Sequence, residues 1–164
     1  MIHMKKISTL IVSLAVAASA AMAGDAPTGQ FAEKVNTLIG NKGVGLTSGY
    51  LYPGATYPFG MVQFTPSYFS KRAGFVINQL SGGGCAHMGN FPTFPLKGEL
   101  NVSPGNIVDH RVKVSGEQGH AGYYQAKVQD DIEAQLTVTE RTGMAQYDFP
   151  ADEKFGTVII GAGI

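Results

Sequence analysis

The residues with the most evident chemical potential lie in one stretch, SGGGCAHMGNFP, which runs from Ser81 to Pro92. It holds the chain's only cysteine, Cys85, and a histidine two residues later, His87, among four glycines. A stretch of this kind could cradle a phosphate, bind a metal ion or supply a thiol nucleophile. Each of these chemistries needs further residues, which decide between them.

None of the three chemistries is completed by the rest of the sequence. The glycines are not followed by GK[ST], and no GxGxxG is present, so a nucleotide loop is not indicated. A zinc site takes about four ligands, whereas His110 and His120 lie in unrelated contexts. The sequence cannot place a base beside Cys85, so a thiol-dependent enzyme stays open only as an alternative.

Paired carboxylates are the other candidates for acid–base chemistry. They occur at Asp130-Asp131 and at Asp152-Glu153. Both pairs fall between predicted strands, where solvated turn residues are the simpler interpretation. No catalytic constellation is therefore complete within this sequence.

The first 23 residues have the pattern of a secretory signal peptide. Lys5 and Lys6 precede a short apolar run, and Ala21-Met22-Ala23 is a small-x-small cleavage site. We expect a secreted or periplasmic protein with no membrane segment after cleavage. Ten basic residues would then face twelve acidic ones, which argues against nucleic acid as a partner. A single cysteine also excludes a disulfide within the chain.

The elements that must position these residues are short. The 22 glycines and 8 prolines favour turns and strands over helices. Gln30 to Ile39 has apolar spacing that predicts one short helix, ended by Gly40. We expect a long glycine-rich loop from Gly40 to Gly60, and a strand over residues 61–64.

The second half of the sequence predicts an antiparallel meander. Residues 132–140 alternate strictly, with Ile132, Ala134, Leu136 and Val138 on one face. Further strands are predicted over 111–115, 123–129, 144–149 and 157–160. The fold class is therefore all-β, an antiparallel β-sandwich. No later strand follows residues 157–160 to cover that edge, so we expect the sandwich to be incomplete.

Three segments together resemble the N-terminal domain of glycoside hydrolase family 92, the calcium-dependent exo-acting α-mannosidases. The first combines VNTLIGNKGVG with YPGATYPFGMVQFTP, and the second is GFVINQLSGGGCAHMGNFPTFP. The third is AGYYQAKVQDDIEAQLTVTERTGMAQYDFP. The resemblance covers most of residues 24–164 and agrees with the strand pattern.

The resemblance implies a β-sandwich followed by a helical toroid, with the active site between them. It implies an inverting mechanism, in which one carboxylic acid protonates the leaving oxygen and a carboxylate activates water. In this family the acid, the base and most calcium ligands belong to the helical domain, which is absent from this sequence. We therefore expect no catalytic residue and no metal ligand here, and no activity of the isolated chain.

What this part would contribute is a wall of the pocket for mannose-containing glycans. Glycine backbone can approach a sugar closely, and loop amides can bind its hydroxyls. The implied substrate-binding residues are Phe59, Ser81, Gly82, Gly84, Cys85 and Asn90. Asn90 stands where the family often has an aspartate, and Val76 to Gln79 replace a stretch that often contains histidines. The alternative is a non-catalytic carbohydrate-binding β-sandwich.

Overall fold

The computed structural model describes residues 34–41, 51–67, 74–79, 89–100 and 114–161. The chain divides into two units, Met1–Lys34 and Val35–Ile164, and of the first only Lys34 is described. The predicted signal peptide lies outside these residues. Within them, no helix is long and apolar enough to cross a membrane.

Nine strands in the described residues form two antiparallel sheets, which confirms the predicted β-sandwich class. The bounds are β1 Ala55–Thr56, β2 Gln63–Pro66, β3 Phe75–Ile77, β4 Asn90–Lys97, β5 Val114–His120, β6 Tyr123–Val128, β7 Ile132–Val138, β8 Gly143–Asp148 and β9 Gly156–Ile160. Sheet A has the order β1-β2-β3-β4-β9, and sheet B has the order β5-β6-β7-β8.

Sheet B follows the predicted alternation closely. The four apolar residues of β7, from Ile132 to Val138, are buried, and Glu133, Gln135 and Thr137 between them are half-buried or exposed. The hairpin between β6 and β7 turns through Gln129 and Asp130, both at positive φ. Consecutive left-handed residues are typical of the turns that join tight hairpins. The sequence pattern therefore predicted the buried face of β7, whereas β5 extends to His120, beyond the predicted strand over 111–115.

Sheet A contains a long strand that the sequence pattern did not predict. β4 includes Pro92 and Pro95, and proline is disfavoured inside a strand because it lacks an N–H donor. The pairing of β3 with β4 is irregular around Pro92, between the Phe75–Thr93 and Ile77–Asn90 partners. Pro95 lies beyond the described end of β3, at a position where β9 is the only described strand that pairs with β4. Both prolines are tolerated for these reasons.

Phe75 of β3 joins the two sheets at the centre of the core. Its ring stacks on Tyr147 of β8 with centroids 5.8 Å apart, and meets Tyr124 of β6 edge-on at 6.4 Å. The Tyr147 hydroxyl also shares a 2.6 Å hydrogen bond with the Thr93 hydroxyl of β4. Aromatic pairs of this kind contribute about 0.5–1.5 kcal/mol each beyond their buried area. These connected side chains therefore pack sheet A against sheet B.

The predicted helix from Gln30 to Ile39 is wrong where it can be checked. Residues 37–40 form turns, and the Asn36 side-chain oxygen accepts a hydrogen bond from the Leu38 N–H at 2.9 Å. Asparagine competes with helices through local bonds of this kind. Val35 and Ile39 remain exposed, so the apolar spacing that suggested the helix has no core to face. Residues 30–33 of the prediction lie outside the described ranges.

The burial of Tyr147 predicts a loss of stability at high pH. Burial raises the pKa of Tyr147 to about 12, although the hydrogen bond with Thr93 opposes the shift. In the unfolded chain the tyrosine pKa is near 10. The stability that comes from burying the protonated Tyr147 is therefore complete below pH 10 and is lost as the pH rises towards 12. Replacing Tyr147 with Phe should remove about 2–3 kcal/mol of that loss. Urea unfolding followed by circular dichroism, from pH 9 to 12, measures it.

Tyr57→Phe is the matched control, because Tyr57 is exposed. It should retain the pH dependence of the unaltered protein. An equal pH dependence in Tyr147→Phe and the unaltered protein would contradict the assignment.

The outer edge of β9 predicts self-association of residues 24–164. Among the described strands β9 pairs only with β4, and Val158 and Ile160 are 41% and 73% exposed. An unprotected apolar edge is a site for pairing with another chain. Ile160→Lys should therefore shift the fragment towards monomer in sedimentation velocity, whereas Met61→Lys, also at an exposed apolar residue, should not. A monomeric, cooperatively unfolding unaltered fragment would refute this.

Candidate functional site

The first candidate residue, Phe59, lies at the tip of a tight turn between β1 and β2. The Gly60 N–H donates to the Tyr57 carbonyl oxygen at 2.9 Å, which closes the turn. In this four-residue turn the proline at the second position fixes its own φ. The third position requires a positive φ, which Phe59 adopts at 57°. Glycine or asparagine is usual there. The Phe59 ring projects from the turn and is fully exposed.

This turn is attached to sheet B through its backbone. The Met61 N–H donates to the Glu140 carbonyl oxygen at 2.7 Å, in the turn between β7 and β8. A Cβ added at Gly60 would lie 3.2 Å from that same carbonyl oxygen and 3.1 Å from that of Tyr57. The close approach therefore favours glycine. It brings parts of the first and third segments of the resemblance into contact.

Asn78 fastens the same turn to sheet A from the other side. Its Oδ1 accepts from the Gln63 N–H at 2.9 Å, and its Nδ2 donates to the Met61 carbonyl oxygen at 3.1 Å. Its backbone N–H bonds the Gln63 carbonyl oxygen, and its φ is 55°. Asparagine suits this position because it tolerates left-handed backbone and can bond neighbouring peptide groups. The sequence marked this stretch only as a departure from the family, and no pattern indicated the role of Asn78.

The second described candidate, Asn90, begins β4 at this same end of sheet A. It pairs with Ile77 and is exposed. Gly89 before it has a φ of 125°, and a Cβ there would come within 2.7 Å of the Val76 side chain. Phe91 after it has a φ of 47° and is 60% exposed. Phe91 is not among the binding residues predicted from the sequence.

Left-handed backbone is concentrated at this end of sheet A. Of the five non-glycine residues with positive φ in the described part of the chain, three lie here: Phe59, Asn78 and Phe91. The left-handed region costs an ordinary residue about 1–2 kcal/mol. Strain of this kind persists where the surroundings enforce it, and such positions concentrate at functional sites.

The other candidates, Ser81, Gly82, Gly84 and Cys85, lie outside the described residues. The residues on either side, Gln79 and Gly89, are both described at this end of sheet A. Gln79 is 4% exposed, and neither atom of its side-chain amide has a hydrogen-bond partner in the described ranges. A buried amide without a partner costs about 1–3 kcal/mol. Gln79 therefore joins Phe59 and Asn90 as a candidate binding residue.

The paired carboxylates lie far from this end. β4 separates Asn90 from Lys97 by roughly 23 Å. Lys97 forms a salt bridge with Asp131, and this hydrogen bond raises the pKa of Lys97. An open depression of about 400 Å³ there is lined by Lys127, Asp130, Asp131, Pro150 and Asp152. Half-exposed Asp131, paired with a lysine, agrees with the prediction of solvated turn residues.

A calcium site does not fit the described part of the chain. Calcium takes six to eight oxygen ligands, and carboxylates supply most of its charge. In the described ranges no group of three or more His, Cys, Asp or Glu side chains could hold a metal ion. No step of a mechanism is therefore assigned to calcium here.

Residues 34–163 match the model of the glycosyl hydrolase family 92 N-terminal domain. An uncharacterized secreted glycosidase of Arthroderma benhamiae is 30% identical over 135 residues, which is 71% of this chain and 17% of that protein. The α-mannosidase BT3965 of Bacteroides thetaiotaomicron, solved with mannoimidazole, superposes with a TM-score of 0.61 at 29% identity. That match covers 74% of this chain and 18% of the other.

A second solved structure supports the fold alone. The inverting mannosidase BT2199 of Bacteroides thetaiotaomicron has a TM-score of 0.64 at 24% identity, covering 79% of this chain and 19% of its own. The two antiparallel sheets thus have the fold of the N-terminal β-sandwich of a glycoside hydrolase. The chain belongs to glycosyl hydrolase family 92 as its N-terminal domain. It spans less than a fifth of the length of these relatives.

Asn78 offers a direct test of how this end of sheet A is built. Asn78→Ala removes two side-chain hydrogen bonds and leaves alanine in a left-handed conformation, which should lower the free energy of unfolding by about 2–4 kcal/mol. Asn78→Gly relieves the backbone cost and should lose less. Asn90→Ala, at an exposed position, should change it little. Equal stability of all three variants in urea unfolding would show that Asn78 does not fasten the turn.

Proposed function

We propose that this chain is the N-terminal β-sandwich part of a secreted, inverting α-mannosidase-like glycoside hydrolase. In this role the Phe59 turn, Gln79, Asn90 and the segment from Ser81 to Cys85 line the mannose pocket. The observation that carries the proposal is the cluster of left-handed residues beside a buried, unpartnered amide at one end of sheet A. The likeness to an α-mannosidase solved with mannoimidazole supports it.

Each described residue has a chemical role in such a pocket. The exposed Phe59 ring can pack against the C–H face of a sugar, and the turn holds it rigidly away from the sheet. The Gln79 amide offers two N–H donors and a carbonyl acceptor, which suit a pair of sugar hydroxyls. Asn90 offers the same groups without a negative charge. Binding by Asn90 is therefore neutral and weaker than that of a carboxylate.

The catalytic acid and base would come from the rest of the longer protein. The same holds for calcium, which the family resemblance implies and for which the described residues offer no site. We also propose that residues 1–23 form a cleaved signal peptide and that the protein is exported. The description of a relative as a secreted glycosidase favours this.

Hydrolysis of an aryl α-mannoside tests the proposal. The full-length protein should hydrolyse it, and residues 24–164 alone should give no rate above background. Phe59→Gly relieves the left-handed backbone, so it should keep stability while lowering kcat/KM about tenfold, the effect of losing one good contact. Phe155→Ala, at an exposed ring near the far end of sheet A, is the control and should retain kcat/KM.

Two results would refute the proposal. One is hydrolysis by residues 24–164 alone, because it would require an acid and a base within them. The other is an equal kcat/KM for Phe59→Gly and Phe155→Ala, because the Phe59 turn would then lie outside the pocket.

A further inference from the structure

The outer face of sheet B carries a row of four glutamines, one from each strand. The pairing register sets Gln118 opposite Gln125, Gln125 opposite Gln135, and Gln135 opposite Gln146. Directly paired residues point to the same face of a sheet, and neighbouring strands lie about 4.8 Å apart. The row therefore spans roughly 14 Å.

An aromatic pair lies beside this row. His120 and Tyr123 are direct partners across β5 and β6, and their rings stack with centroids 5.0 Å apart at 17°. The Tyr123 hydroxyl lies 3.0 Å from both the Gln125 and the Gln135 side-chain oxygens, so its proton is shared between them. The ring and the amides thus form one connected surface.

The two central amides are held in fixed orientations. Both the Gln125 and the Gln135 Nε2 donate to the same Glu133 carboxylate oxygen, while their own oxygens accept from Tyr123. Each amide has two N–H donors and two acceptor lone pairs, so one of each remains for another molecule. Groups that are ordered in advance lose little entropy when they bind.

The charges on the outer face of sheet B indicate which class of ligand it can bind. The charged residues on this face lie in a separate cross-strand row, with Lys127 opposite Glu133 and Glu133 opposite Asp148. The glutamine row itself is uncharged. Lys127 is the only lysine or arginine among the sheet B strand residues that share this face, so phosphate chains are poorly matched. An uncharged ligand rich in hydroxyl groups is the best complement, because each hydroxyl both donates and accepts as an amide does.

We propose that the outer face of sheet B is a second carbohydrate-binding surface, on which a neutral glycan chain lies along the glutamine row with one sugar beside the His120–Tyr123 pair. The strip of about 14 Å would accommodate a chain of a few sugars. This surface lies on the outer face of sheet B, whereas the mannose pocket proposed above lies at the end of sheet A that carries Phe59, Gln79 and Asn90. It rests on the proposed function only in the choice of a mannose polymer as the probe.

Affinity electrophoresis of the full-length protein in gels containing neutral α-mannan tests this surface. The double variant Gln125→Ala with Gln135→Ala should reduce retention about tenfold, because two hydrogen-bonding amides are lost. Its kcat/KM for a small aryl α-mannoside should stay within about twofold of the unaltered protein, since a small substrate does not reach this face. Asp152→Ala with Lys154→Ala is a charge-neutral control of exposed residues and should change neither quantity.

A second double variant distinguishes loss of binding from misfolding of the first. Gln118→Ala with Gln146→Ala changes the two exposed ends of the row and leaves the Tyr123–Glu133 network intact, and it should reduce retention as well. The proposal is overturned if the unaltered protein is not retarded by mannan, if both double variants are retained fully, or if retention and kcat/KM fall together. Retention that depends on the glutamines without any mannoside hydrolysis would uphold this surface and refute the proposed enzyme.

Discussion

The structure depends on the packing of Phe75 between Tyr124 and Tyr147. This contact joins the middle of sheet A to two strands of sheet B, and the hydrogen bond from Tyr147 to Thr93 adds β4 to the same group. With no disulfide available, the relation between the sheets rests on burial. Once Phe75 is fixed, the residues that follow it in β3 lead directly to Asn78 and Gln79. The position of the candidate site is therefore set by the core.

At the candidate site the backbone is more strained than in the core. Phe59, Asn78 and Phe91 adopt left-handed conformations that glycine would adopt without cost. Contacts from both sheets hold the first two there, namely the Met61–Glu140 bond and the three bonds between Asn78 and its neighbours. The stability of the sandwich thus maintains a shape that the loops alone would not keep. That arrangement is typical of a surface selected for binding.

Much of the fold could be predicted from the sequence, and the reasons for the failures are physical. Period-two alternation located β7 and its buried face, because that sheet has one wet and one dry side. β4 was not predicted because it contains prolines, which are unusual in strands. One proline lies where the pairing with β3 is irregular, and the other lies beyond the described end of β3. The helix over Gln30 to Ile39 failed because apolar spacing does not reveal whether a core lies opposite. Family resemblance supplied what periodicity could not, namely the domain identity.

The site was only partly predictable. The resemblance pointed to Phe59 and Asn90, and both lie at one end of sheet A. It marked Val76 to Gln79 only as a departure from the family, and no pattern indicated what Asn78, Phe91 or the buried amide of Gln79 do. Positive φ and unpartnered burial are properties of the folded chain, so sequence pattern does not report them. The row of glutamines likewise depends on strand register, which single strands do not encode.

The proposed mannose pocket at this end of sheet A can be checked in a crystal structure of the full-length protein with mannoimidazole. We expect the ligand to lie within about 4 Å of Phe59, Gln79 or Asn90, the distance of direct contact. A ligand bound in the longer protein with all three residues beyond contact would contradict it.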